Sequence, residues 1–410
     1  MTRASVPDRA PLMRPDVALL TGGGDRPYAL GLATSLVSVG ITLDFIGSDH
    51  LKAPEVCENP RVRFLNLRGD ASTDASLLRK VARIVSYYWK LLKYAATAEP
   101  RIFHILWNNK LELADRTLLM AYYKLLRKRI AFTVHNVNIR KRDGNDGLVN
   151  RLTLRVQYRL VDHLFVHTEQ MRRELLDDFG VRSEKISVIP FGINSTVPDT
   201  ALTPAEARTR LGLSQTDKTL LFFGNIAPYK GLEFLVDAMA IVGQTLPECR
   251  LIIAGRPKGS EAYWAAIDQQ ITTLGLRSRV VLRIEYVPDA DTELYFKAAD
   301  VLVLPYTHVF QSGVLFLGYN FGLPVIVADV GSLRDDIFEG RTGFVCMARD
   351  PASLAKAIET YFASDLFATL VGRRSEIRQF ARERYSWATV GSITNQVYRM
   401  LVEGRKTDGS

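Results

Sequence analysis

The chain has 410 residues, 47% hydrophobic and 24% charged, more than one hydrophobic core supports, so two domains of about 200 residues each are expected. Three scattered cysteines (Cys57, Cys249, Cys346) exclude a disulfide framework and a cysteine metal site, and no run reaches the ~18 apolar residues of a spanning helix. The formal net charge of +9 resides in residues 1–200, which hold 30 Lys and Arg against 21 Asp and Glu; the remainder balances 23 against 23.

Residues 1–14 are polar and proline-rich and lack the apolar core of a signal peptide. A cytoplasmic location is therefore expected, with residues 1–14 and 404–410 disordered. Apolar runs then alternate with helical patterns along the chain, the signature of parallel α/β architecture. In the first half the spacing predicts strands at 16–20, 42–46, 62–67, 102–106, 130–134, 163–167 and 186–189. The first ends in Thr21-Gly22-Gly23-Gly24-Asp25, ahead of a helix at 29–39. Three glycines at that turn let a ligand approach the backbone.

The helical pattern 77–94 interleaves Arg79, Lys80, Arg83, Lys90 and Lys93 with Tyr87, Tyr88, Trp89, Leu91 and Leu92. That mixture suits anionic lipid headgroups, and the basic groups 127–129 and 140–142 add to it, predicting a peripheral site at the inner face of the cell membrane. Nucleic acid is not expected as a partner, since no module for it is recognisable. His135 and Asn136 follow the strand 130–134; a histidine at a strand's C-terminal end is suited to proton transfer near neutral pH. His167 is placed similarly but precedes Thr168-Glu169, a helix start.

The segment 197–204, with two prolines and small polar residues, reads as a linker. Strands follow at 219–223, 250–254, 280–282, 301–304 and 325–327. The strand 219–223 breaks at Gly224, turns through Asn225-Ile226-Ala227-Pro228-Tyr229, and restarts as a helix with Lys230 expected in its first turn. Backbone N–H groups and one cation there form a cradle for phosphate. Gln311-Ser312-Gly313-Val314 opens another helix and offers N–H groups and a hydroxyl to an anion. Asp289-Ala290-Asp291 invites a metal reading, but an amphipathic helix follows at once, so these acids are expected to serve its N-terminus.

The order of these elements resembles the GT-B fold glycosyltransferases, particularly family 4. Lys185-Ile186-Ser187-Val188-Ile189-Pro190-Phe191-Gly192-Ile193-Asn194 is similar to that family's K-I-x-V-I-P-x-G-V-D segment. Phe223-Gly224 to Lys230-Gly231 resembles its G-R-L-x-x-x-K-G donor loop, and Phe321-Gly322-Leu323-Pro324-Val325-Ile326-Val327-Ala328 its C-G-x-P-V-I-A-S. The resemblance implies two Rossmann-like α/β domains: 15–197 on the acceptor side, 205–385 for the nucleotide-sugar donor, and a helix at 386–404 packing back on the first.

It implies transfer of a sugar from a nucleotide-diphosphate donor to a hydroxyl acceptor with retention, the leaving phosphate helping to deprotonate the acceptor. A lipid-linked saccharide acceptor, as in exopolysaccharide or glycolipid synthesis, is expected from the basic first half. By the same resemblance Lys230 neutralises the diphosphate with no metal or cofactor. Gly224, Asn225, Gln311, Ser312, Gly313 and Val314 line the donor, while His135, Asn136, Gly22, Gly23 and Gly24 face the acceptor. The family's donor-loop arginine is replaced by Asn225, leaving Arg256 as a substitute cation. Its E-x7-E glutamates are replaced by Val309 and Leu317. Two alternatives stand beside transfer: a GT-B nucleotide-sugar epimerase or hydrolase, and a non-catalytic GT-B partner protein.

Overall fold

The computed structural model describes residues 14–70, 76–138, 140, 146–193, 197–257 and 259–403. The termini expected to be disordered fall outside these, apart from Arg14, as do Lys141 and Arg142 of the second basic group. The chain forms two compact units: Met1–Gly192 with Trp387–Ser410, and Ile193–Ser386.

The first unit is built on seven parallel strands: β1 (Val17–Leu20), β2 (Leu43–Gly47), β3 (Val62–Asn66), β4 (Ile102–Ile105), β5 (Arg129–Thr133), β6 (His163–Val166) and β7 (Ile186–Val188). Their order is β3-β2-β1-β4-β5-β6-β7. β1, β2 and β4 are buried on both faces, which is why they read as unbroken apolar runs rather than alternating ones. Leu19, Phe45 and Phe165 share one core with Leu32 and Leu36 of the Arg26–Ser38 helix and with Val390 and Val397 of the Trp387–Glu403 helix. The two helices approach closely because Gly391 has no side chain; a Cβ there would lie 2.1 Å from the Ser35 hydroxyl. The C-terminal helix thus completes the first unit, and its Tyr398 hydroxyl bonds buried His104 at 2.6 Å.

The second unit carries six parallel strands: β8 (Lys218–Phe223), β9 (Cys249–Ala254), β10 (Val280–Arg283), β11 (Val301–Leu304), β12 (Val325–Ala328) and β13 (Gly343–Cys346), in the order β10-β9-β8-β11-β12-β13. The sequence pattern missed β13, an edge strand of four residues that opens on a glycine and is only half-buried at its centre. The expected linker is fastened to this unit rather than free. Thr200 donates from its amide and its hydroxyl to the Glu293 carboxylate at 2.8 and 2.7 Å, and Asp199 pairs with Lys297 at 2.9 Å.

In each sheet the strand order reverses once, between β1 and β4 in the first and between β8 and β11 in the second. Loops leaving the carboxyl ends of such a pair diverge to opposite faces and open a crevice where ligands of α/β sheets bind. The glycine turn 22–24, Lys230 and the 311–314 segment all follow these strands.

Candidate active site

At the second unit's switch point β8 gives way to Gly224, whose φ of +97° is open to glycine. Gly255, after β9, comes so close that a Cβ on it would fall 1.8 Å from the Gly224 carbonyl oxygen. The chain then makes a 3₁₀ turn, Pro228–Lys230, and passes through left-handed Gly231 before the Leu232–Thr245 helix begins. Lys230 therefore precedes the helix instead of lying in its first turn. The side chain folds back under the loop and is only 5% exposed.

The Lys230 ammonium lies 3.4 Å from the Phe223 carbonyl oxygen and 5.3 Å from the centre of the Tyr306 ring. Among the described residues no carboxylate pairs with it. Burial pulls its pKa below the ordinary lysine value. An ammonium held out of water without a counter-ion is costly, and an incoming anion relieves that cost.

The opposite wall comes from the loop after β11. Ser312 precedes the Gly313–Asn320 helix, but its hydroxyl makes no cap; it lies 3.4 Å from the Tyr306 hydroxyl. The helix's first N–H groups are thus left without a side-chain cap. Val314 abuts Gly224, its methyl 3.6 Å from where a Cβ on that glycine would sit. Gly224, Lys230, Ser312 and Val314 are therefore brought together, with Gly313 exposed at the helix start. Gln311 lies beside buried Asp336, and its side-chain oxygen is buried without a partner among the described residues. Asn225 and Arg256 are exposed, and the Arg256 guanidinium stacks 5.1 Å over Tyr286, so neither belongs to the enclosed group. Leu317 is a core residue of the helix. Asp289 and Asp291 lie exposed in the first turn of the Asp289–Ala298 helix, as expected of residues serving its N-terminus.

At the first unit's switch point, Trp107 follows β4 and stacks on His135 with ring centres 4.2 Å apart and planes 3° from parallel. Tyr28 meets His135 edge-on at 4.7 Å. His167, at the end of β6, approaches His135 Nδ1 at 3.3 Å, so both histidines of the sequence analysis share one aromatic cage, and Thr168 does cap the following helix. His135 Nε2 is buried with no partner among the described residues. Burial, reinforced by the neighbouring histidines, pushes the His135 pKa well below its usual value, and His167 falls to about 4. The imidazoles are neutral near pH 7.

The glycine turn has a structural reason beyond ligand approach. A Cβ on Gly22 would lie 2.0 Å from the Trp107 carbonyl oxygen, and one on Gly24 would lie 2.0 Å from the indole. Gly23 is instead covered by Arg68. Asn136 is half-buried beside the cage. Sequence reasoning missed Trp107 and Arg68; the available signal was that each directly follows a strand at the carboxyl edge.

The basic helix, observed at Leu77–Thr97, divides its apolar and aromatic residues between core and surface. Tyr87 and Leu91 enter the core, whereas Trp89 is 70% exposed in line with Val81 and Val85. Among the described members of the second basic group, three are engaged within the protein, a correction to their expected role. Lys128 is buried and donates to the Ala98 and Pro100 carbonyls at 2.6 and 2.9 Å, Arg129 pairs with Asp162, and Arg140 with Glu112. Among the described residues no helix is long and apolar enough to cross a membrane.

Two parallel α/β units, each with one strand-order reversal, are the architecture of the GT-B fold of glycosyltransferases. Residues 22–197 match the Glycosyltransferase Family 4 model and residues 217–364 the Glycosyl transferases group 1 model. The chain belongs to this glycosyltransferase family and is an enzyme of that type. It is 24% identical over 413 residues to a D-inositol 3-phosphate glycosyltransferase of Corynebacterium glutamicum, covering 98% of this chain and 96% of that protein. Several other curated relatives are spanned over little more than half their length. Among solved structures, sucrose-phosphate synthase of Thermosynechococcus elongatus superposes with TM-score 0.74 at 20% identity, over 95% of this chain and 100% of that one. Anabaena HepE in complex with UDP-glucose gives 0.70 at 17%, over 93% and 98%.

Proposed function

We propose that the enzyme transfers a hexose from a nucleotide-diphosphate sugar to a hydroxyl of a lipid-linked saccharide, with retention of configuration. The buried, unpaired Lys230 ammonium at the second sheet's switch point carries this reading. It stabilises the negative charge that grows on the departing diphosphate, aided by the uncapped N–H groups at Gly313 and Val314. The bond from the sugar's anomeric carbon to the phosphate oxygen breaks, the diphosphate leaves with the electron pair, and the acceptor oxygen bonds the same carbon. The acceptor's proton passes to a phosphate oxygen. His135, whose pKa is pulled low by burial, acts as a neutral hydrogen-bonding partner to the substrate, a role that fits retention better than a side-chain base would.

The UDP-glucose complex of HepE supports a nucleotide-sugar donor. The exposed apolar stripe of the Leu77–Thr97 helix, flanked by Arg79, Lys80, Arg83, Lys90 and Lys93 with no acid, supports adsorption to an anionic membrane where a lipid-linked acceptor resides. The test is a thermal-shift screen of UDP-, GDP- and ADP-sugars, followed by turnover with and without acceptor. One donor should stabilise the protein and Lys230→Ala should abolish both effects. Donor rearranged without acceptor would replace transfer by epimerisation, and a protein that binds no donor would be a non-catalytic partner.

A further inference from the structure

At the amino edge of the first sheet, away from the glycine turn and the histidine cage, the Leu148–Leu160 helix and the loop running into β7 enclose an open cavity of 350 Å³. That volume falls in the range of small-molecule sites, about 300–1,000 Å³. Among the described residues its lining holds Arg155, Arg159, Arg182 and Lys185 and no acid. Arg155 and Arg159 stand four residues apart on one exposed helix face, a spacing at which like charges oppose the helix. Arg151, one turn earlier, pairs with Asp146 at 2.6 Å, yet neither Arg155 nor Arg159 makes an ion pair or hydrogen bond among the described residues. Lys185 is half-buried and donates to the Val161 carbonyl at 3.0 Å; burial lowers its pKa. The Asp162 carboxylate that acts on Lys185 from a distance is itself engaged by Lys124 and Arg129, at 2.8 and 3.3 Å. Arg182 alone has an acid beside it, exposed Glu184 at 3.2 Å.

Four cations less Glu184 leave three positive charges in excess around the cavity. One phosphate group, at most about −2, does not balance them, whereas a chain of phosphates does. Guanidinium forks also match phosphate oxygens in geometry. Between the cations the wall is aromatic. Half-buried Phe179 meets Tyr158 edge-on, with ring centres 5.1 Å apart and planes at 87°, and Tyr158 is pinned by its hydroxyl donating to the Val137 carbonyl at 2.7 Å. Lys185 immediately precedes β7, so the cavity lies at the opposite end of the sheet from His135 and His167, a strand length of ~13 Å away. We propose that this cavity is a second, non-catalytic site for a compound carrying a chain of two or more phosphates. That compound is either a nucleoside triphosphate, with its base against Phe179, or inorganic polyphosphate. Nothing in this site depends on the donor assignment at Lys230.

The full chain carrying Lys230→Met, which silences the donor loop, is titrated by calorimetry with inorganic triphosphate and with ATP at physiological ionic strength. At least one probe should bind saturably. Tighter binding of ATP identifies a nucleotide ligand, and equal or weaker binding of ATP identifies the phosphate chain alone. Adding Arg155→Gln and Arg159→Gln, both exposed, should weaken that binding at least tenfold without lowering the melting point. Removing the same charge from the other unit, by Arg210→Gln and Lys356→Gln, should leave it unchanged. Binding that survives the Arg155 and Arg159 changes, or that falls equally in both charge-reduced chains, overturns the site. So does the absence of binding by either probe; if the arginine pair then proves necessary for sedimentation with anionic vesicles, this face is a membrane contact instead.

Discussion

Lys230 is buried with no carboxylate partner among the described residues, and its replacement separates stability from the proposed function. Methionine fills a similar volume without charge, so Lys230→Met should raise the ligand-free stability by on the order of 1 kcal/mol or more, and the melting point with it, since an ammonium without a counter-ion no longer needs dehydrating. The same change should cut turnover by at least about 10²-fold, as loss of a transition-state charge partner does. Melting curves with and without UDP, read beside kcat, check both. Asp336 is a second case. Burial raises its carboxyl from 3.8 to about 6, against the opposing hydrogen bond from Tyr385. Between those values the folded state holds a proton that the unfolded chain has released, so stability falls as pH rises through the window, by up to about 3 kcal/mol. Asp336→Asn keeps the shape and removes that loss. Its melting point should gain on the wild type between pH 4.5 and pH 7.5; a pH-independent difference would contradict the assignment.

At the scale of elements, strand positions were legible because buried parallel strands are continuous apolar runs, and Gly224 and Lys230 were legible because a glycine and a cation after such a run have few other uses. The residues just past β3 and β4 were not legible. Arg68 and Trp107 gain meaning only once the sheet order places their strands near β1, which periodicity along the chain does not encode. The Gly313–Asn320 helix shows the same limit: Ser312 looks like an N-cap in sequence, yet its hydroxyl turns toward Tyr306. Ser312→Ala should therefore lower stability by well under the ~1 kcal/mol that a lost cap costs and barely move the melting point, while lowering turnover. The Leu77–Thr97 helix gives a third test. Trp89 and Val85 are 70% and 63% exposed, so changing both to serine should leave the melting point nearly unchanged while reducing sedimentation with anionic vesicles; unchanged sedimentation would argue against membrane adsorption.

Over the whole molecule, titratable groups are divided unevenly between the two units. The first contains His104, His135, His163 and His167, all held below the ordinary value with burial as the first cause, at about 3 for His104 and about 4 for His163 and His167. As pH falls below the unfolded value of 6.5, the unfolded chain takes up protons that the folded unit refuses, so stability is lost on acidification. By pH 5 each such histidine accounts for about 2 kcal/mol. Carboxylates with lowered values, such as Asp146, Glu206 and Glu248, titrate below 4.5 and do not mask the histidines between pH 6.5 and 5, while Asp336, in the other unit, acts in the opposite direction there. Calorimetry of a two-unit protein should resolve two transitions, and UDP should raise the one belonging to the unit that holds Lys230. At pH 5 the other transition should fall by roughly 10 °C or more relative to pH 7.5. A UDP-sensitive transition that falls instead, or two that fall together, would mean that the buried histidines do not govern acid stability.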